Sequence, residues 1–201
     1  MNPSSSEQRV KGTLVLARMT YLRGKGEPCL RSVLDGLDPS DARQLRSLLP
    51  GSWYPLGLMR RLEERIAKAL NQGRRRDLFL DIGRAAATAA LGSGAQRVYV
   101  RPGDPQFVLG RTPYIYASSF SDGHRSYEST SEDSGVVRTT KRFQDAHEEE
   151  CLITAGWLEQ AIALSGGQRI TVTETQCGVR SAPWCEFHCG WRLPDGARLA
   201  G

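Results

Sequence analysis

The sequence predicts an α+β fold: an N-terminal helical layer packed on a four-stranded antiparallel sheet, with the helices followed by a ββαββ order. Three observations predict it. Apolar residues recur at helical spacing in the first 120 residues, as in Leu58, Leu62, Ile66 and Leu70. After residue 121 the pattern shortens to period two, as in 168–176 (QRITVTETQ). Between such segments, residues 148–164 return to helical spacing, with Cys151, Ala155, Leu158 and Ile162 on one stripe.

At 201 residues the chain reads as one domain with a polar, serine-rich and disordered tail at 1–9. A helical part follows over 10–120, then a ββαββ part over 121–193 and a tail at 194–201. Residues 10–23 read as helix, broken by Gly24, Gly26 and Pro28, and a short helix covers 29–36. Asp38-Pro39 starts another, with Asp38 as N-cap and Pro39 in the first turn, and it ends before Pro50-Gly51. Ser52 to Pro55 leads into the helix of Leu58 to Leu70, which Gly73 stops. A helix over 75–91 is rich in alanine, which permits close approach of a neighbouring helix. In 95–120, Asp104-Pro105 starts a helix that Pro113 interrupts, so a bent helix or two short ones is expected. Asp122-Gly123 marks a turn before two strands near 124–131 and 135–143, joined around Asp133-Ser134-Gly135. The acidic run His147 to Glu150 suits the start of the next helix dipole.

Composition narrows the class. An apolar fraction of 39% and a mean hydropathy of −0.42 describe a soluble chain with a moderate core. No run of about 18 apolar residues is present, so no membrane span is expected. The polar N-terminus has no secretory pattern, and five cysteines, an odd number, point to a reducing compartment. A cytoplasmic location is expected. Residues 1–112 carry 19 basic and 10 acidic side chains, while the remainder is net acidic. Such halves suit an acidic partner or one another across a dimer, but a plain solvated face with no partner is the favoured reading.

Chemistry gathers in the last third, where Cys151, Glu174, Cys177 and Cys185 follow the order C-x22-E-x2-C-x7-C. Three thiolates and a carboxylate are a tetrahedral metal set. Glu174 shares a strand face with Ile170 and Val172, where a lone carboxylate is costly unless something pairs with it. The plainer reading stands beside this one: cysteines are often small buried hydrophobes, and C-x7-C is no finger signature.

The segment E-T-Q-C-x7-C-E-F, with a cysteine in the preceding helix, resembles the 4-vinyl reductase domain. That domain shares a superfamily with bacterial phenol sensors, haem-nitric-oxide-binding domains and TRAPP vesicle-tethering subunits. The close match covers roughly residues 120–192; the N-terminal half is similar only in its run of helices. In the phenol sensors such residues hold a structural zinc, which the resemblance carries to Cys151, Glu174, Cys177 and Cys185. A closed site of four protein donors leaves no open position for catalysis. The resemblance also implies a hydrophobic cavity, for which Tyr114, Tyr116, Phe120 and Trp157 are the candidate lining, and a homodimer.

The remaining motifs are mostly exclusions. The haem-binding relatives use a helical histidine with Y-x-S-x-R, whereas Tyr116-Ala117-Ser118 and Tyr127-Glu128-Ser129 have no arginine two residues on. The sequence therefore argues against haem. Cys189 reads as a buried thiol, Cys29 as a core or interface residue and His188 as a surface residue. No phosphate loop, nucleophile elbow or dinucleotide fingerprint is present, and Arg74-Arg75-Arg76 alone is weak support for nucleic acid. The expected function is a stand-alone, zinc-stabilised sensor or regulatory domain rather than an enzyme. It would bind a small hydrophobic or aromatic ligand and act through a protein partner or dimerisation. A TRAPP-like interaction scaffold and an accessory enzyme of tetrapyrrole metabolism are the alternatives.

Overall fold

A computed structural model describes residues 7–70, 73–141 and 146–194. Of the expected tails, residues 1–6 and 195–201 lie outside the described residues, as does the end of the strand expected to reach 143. The α+β class holds: seven α-helices accompany a two-stranded and a four-stranded antiparallel sheet among the described residues. The chain forms two compact units, Met1–Arg75 with Ser118–Asp122, and Arg76–Ala117 with Gly123–Gly201.

The first unit is built of β1 (Arg9–Lys11), α1 (Gly12–Gly24), α2 (Glu27–Asp35), α3 (Pro39–Arg46), β2 (Trp53–Pro55) and α4 (Leu56–Leu70). Asp38 caps α3 as expected, accepting a hydrogen bond from the Ser40 amide at 2.9 Å. Leu58, Leu62 and Ile66 of α4 are fully buried, as are Val15 and Leu22 of α1. Within this core Arg18 of α1 donates from Nε to Glu63 of α4 at 2.8 Å, with about 5% of either side chain exposed. The small sheet, with Val10 opposite Tyr54, escaped sequence analysis because three-residue strands carry no readable period.

The second unit holds nearly all of α5 (Arg75–Ala87) and of α6 (Pro105–Ser119), with β3 (His124–Ser131), β4 (Ser134–Thr140), α7 (Glu149–Leu164), β5 (Gln168–Gln176) and β6 (Cys185–Arg192). The strand order is β3-β4-β6-β5. Phe187, Cys189 and Trp191 of β6 and Val137 of β4 pack in one core with Leu158, Ala161 and Ile162 of α7. Of the two forms expected at Pro113, the pair of short helices does not occur, and α6 runs through it as one element. Proline removes the amide that would have bonded the Leu109 carbonyl. The fully buried Thr112 hydroxyl takes that carbonyl instead, at 2.7 Å.

Two glycines set the approach of α5 to α7. A Cβ on Gly83 would lie 2.1 Å from the Ile153 carbonyl oxygen, and one on Gly156 would lie 2.1 Å from that of Leu80. Backbone therefore packs on backbone. Alanine, which the sequence suggested for this role, is already too large at these two positions. Arg84 of α5 clamps the same pair, donating from Nη2 to Glu159 at 2.7 Å.

On the opposite face of the sheet, Glu186 accepts from Arg138 Nε at 2.6 Å and from Thr175 Oγ1 at 2.9 Å, with His188 3.1 Å away. These contacts, Arg138 foremost, hold the Glu186 carboxyl down at about 2 against an ordinary 4.5. A depressed carboxyl stabilises the fold above its ordinary range, and that stability drains as pH falls from about 4.5 through about 2. Glu186→Gln is expected to lower the unfolding free energy measured in urea near neutrality by about 1 kcal/mol after solvent screening. The gap from the parent should close at about pH 2.

Candidate metal centre

Four donors converge beneath α7. Cys151 sits in its first turn, Glu174 near the end of β5, Cys177 just beyond it and Cys185 at the start of β6. One ligand atom from each lies within 4.8 Å of all the others. On a regular strand, residues three apart face opposite sides. The β5–β6 register shifts between Glu174 and Gln176, and that irregularity lets Glu174 and Cys177 address one centre. The Cys151 Sγ lies 3.5 Å from that of Cys185 and 3.8 Å from that of Cys177.

The three cysteines are buried and Glu174 is half-buried. The Gly178 amide donates to the Cys185 Sγ at 3.4 Å. With the hydrogen bond from Cys151 as the larger influence, this pulls the Cys185 thiol down to about 6, against the effect of burial. The same Cys185 contact, and then burial, pushes Cys151 up. Burial likewise raises Cys177. Glu174 accepts from Arg180 at 3.1 Å through Oε2, while its buried Oε1 has no hydrogen-bond partner. A buried carboxylate oxygen without a donor, facing three sulfurs, is an arrangement that a cation would satisfy.

The remaining predicted residues are dispersed. Tyr116 is buried, Tyr114 is 64% exposed beside Arg111, and Trp157 is half-buried against the core of the second unit. Phe120 belongs to the first unit, where it bridges to Val10. Cys189 is buried outside the four-donor group and Cys29 is half-buried. Sequence reasoning missed the cations around the cluster: Arg180 in the turn between two donors, Lys141 paired with Glu150, and Arg125. Only Arg180 had a local signal, its place between Cys177 and Cys185.

No family model and no curated relative matches the chain. Solved structures do. An H-NOX protein from S. oneidensis in the Fe(II)NO ligation state is similar over 90% of this chain and 99% of its own, at 15% identity and a TM-score of 0.70. An oxygen-binding H-NOX domain related to soluble guanylate cyclases, in its oxygen complex, is similar over 92% and 96%, at 12% identity and a TM-score of 0.66. An unliganded Fe(II) H-NOX protein from K. algicida covers 90% and 96%, at 11% identity and a TM-score of 0.63.

These matches correct the expected kinship. The fold is that of H-NOX domains, not of 4-vinyl reductase or TRAPP-like proteins. The cysteine motif behind the 4-vinyl reductase resemblance reported a local convergence of thiols, whereas the backbone match runs through nine-tenths of the chain. Two expectations about the cofactor fall with that kinship. Zinc as the cofactor loses the family that warranted it. The exclusion of haem rested on the missing arginine of Y-x-S-x-R and on the lack of a suitable helical histidine, and the neighbours are H-NOX domains described in an Fe(II)NO state and in an oxygen complex. Tested on this chain, an imidazole-ligated haem finds no axial donor facing the interior, because His124, His147 and His188 are all exposed. Any haem iron would have to take its axial bond from another side chain.

Proposed function

We propose that the chain is a small-molecule sensor domain on the H-NOX fold, passing its signal to a protein partner or through a homodimer. One observation supports this above the others, the backbone similarity to gas-binding domains along almost the whole chain. Of the aromatic candidates for lining a ligand site, Tyr116, which is buried, and Trp157, which packs against the core of the second unit, are the ones this reading retains. Hemin titrated into the purified protein tests whether the neighbours' cofactor is shared. A Soret band saturating at one equivalent supports that reading, and a featureless titration directs the search to other small ligands. No helix among the described residues is long and apolar enough to cross a membrane.

Within this reading Cys151, Glu174, Cys177 and Cys185 hold a thiophilic divalent cation. Four protein donors close its coordination shell, so its work is mechanical: it ties the start of α7 to β5 and β6. Elemental analysis of the purified chain is expected to find one such ion per molecule. Cys177→Ser should lose the ion and lower the melting temperature, because structural sites contribute directly to folding. An unchanged metal content and melting temperature would exclude the assigned donors.

A further inference from the structure

Strand register places a cation beside the four donors that no local pattern in the sequence announces. Arg125 of β3 lies opposite Thr139 of β4, and Thr139 lies opposite Cys185 of β6. Residues directly opposed in an antiparallel sheet share a face, so these three form one row on the side that carries Cys185. The row spans two strand spacings, roughly 10 Å from end to end. The Arg125 side chain runs along it, donating from Nε to Thr139 Oγ1 at 2.9 Å. Its guanidinium carbon sits 4.8 Å from the centre of the Tyr116 ring, which covers it.

The other two cations of the cluster are already matched. Arg180 bonds Glu174 and Glu148, and Lys141 pairs with Glu150. Among the described residues no carboxylate pairs with Arg125. Three thiolates and a carboxylate around a divalent ion carry a formal charge of about −2, which a buried setting tolerates only with donors and cations around it. We propose that Arg125 is the positioning residue that compensates the charge of the metal centre, held on the Thr139 hydroxyl and the Tyr116 ring so that its charge stays beside Cys185. This rests on the metal reading above.

Cobalt(II) provides the probe, because thiolate-to-cobalt charge-transfer absorption reports sulfur ligation directly. Affinity is read by competition with a chelator for the parent chain, Arg125→Gln and Arg125→Lys. The melting temperature of each metal-free protein is recorded alongside. Arg125→Gln is expected to bind cobalt about 10- to 100-fold more weakly, with the same band shape, since the sulfurs remain. Arg125→Lys, which keeps the charge, should recover most of that loss. A purely structural role would shift the metal-free melting temperature and leave affinity alone. Parental affinity in Arg125→Gln, or an equal loss in Arg125→Lys, overturns the proposal. A parent chain that develops no band overturns the metal reading itself, which is a different result.

Discussion

Gly156→Ala is expected to destabilise the chain by about 3 kcal/mol or more, measured as a fall in the urea unfolding midpoint at unchanged slope. A single methyl group is the whole chemical change. Its carbon would meet the Leu80 carbonyl oxygen at 2.1 Å, and neither atom belongs to a side chain that can rotate aside. Relief requires α5 and α7 to separate. Separation would strip contacts from Leu80 and Leu158 and stretch the 2.7 Å bond between Arg84 and Glu159. Helix propensity favours alanine over glycine by up to about 1 kcal/mol, so a neutral or stabilising outcome would show that the two helices do not pack this closely. Gly83→Ala meets the Ile153 carbonyl in the same way and should behave alike. The two losses should fall short of additive, because the first already parts the helices.

Arg18→Ala in the first unit should cost about 3–5 kcal/mol. It leaves the Glu63 carboxylate with its salt-bridge partner gone, in a setting where about 6% of that side chain meets water. The double replacement Arg18→Met with Glu63→Leu removes both charges and keeps the volume, and it is expected to restore most of the loss. The comparison separates the loss of the Arg18–Glu63 ion pair from a simple cavity. If the double variant is no better than the single one, packing of the arginine stem is the larger contribution.

The donors Cys151, Glu174, Cys177 and Cys185 were legible as candidates because cysteine is scarce and chemically distinctive, so that spacing alone draws attention to them. The helix starts at Asp38 and Asp104 were legible because capping is decided by neighbours two or three residues away. Arg125 was not, since its place beside Cys185 follows from the pairing of three strands far apart in sequence. That Pro113 does not split its helix in two was illegible for a related reason. The rule for proline describes the amide that is lost, and the Thr112 hydroxyl that replaces its bond is one residue outside that rule. Kinship was misjudged because a motif spanning a third of the chain weighed more than the remaining fold, which only a comparison of backbones could see.

The sheet order β3-β4-β6-β5 bears on how the polypeptide is made. Within this sheet the strand that leaves the ribosome after the other three is an inner one, flanked on both sides by strands that emerge earlier. Until residue 192 has left the exit tunnel, β4 and β5 each present a ladder of unbonded amides and carbonyls to solvent. Termination upstream of Cys185 therefore removes the middle of the sheet rather than its rim. Nascent chains of that length should be substrates for holding chaperones and proteases, and not partly active fragments.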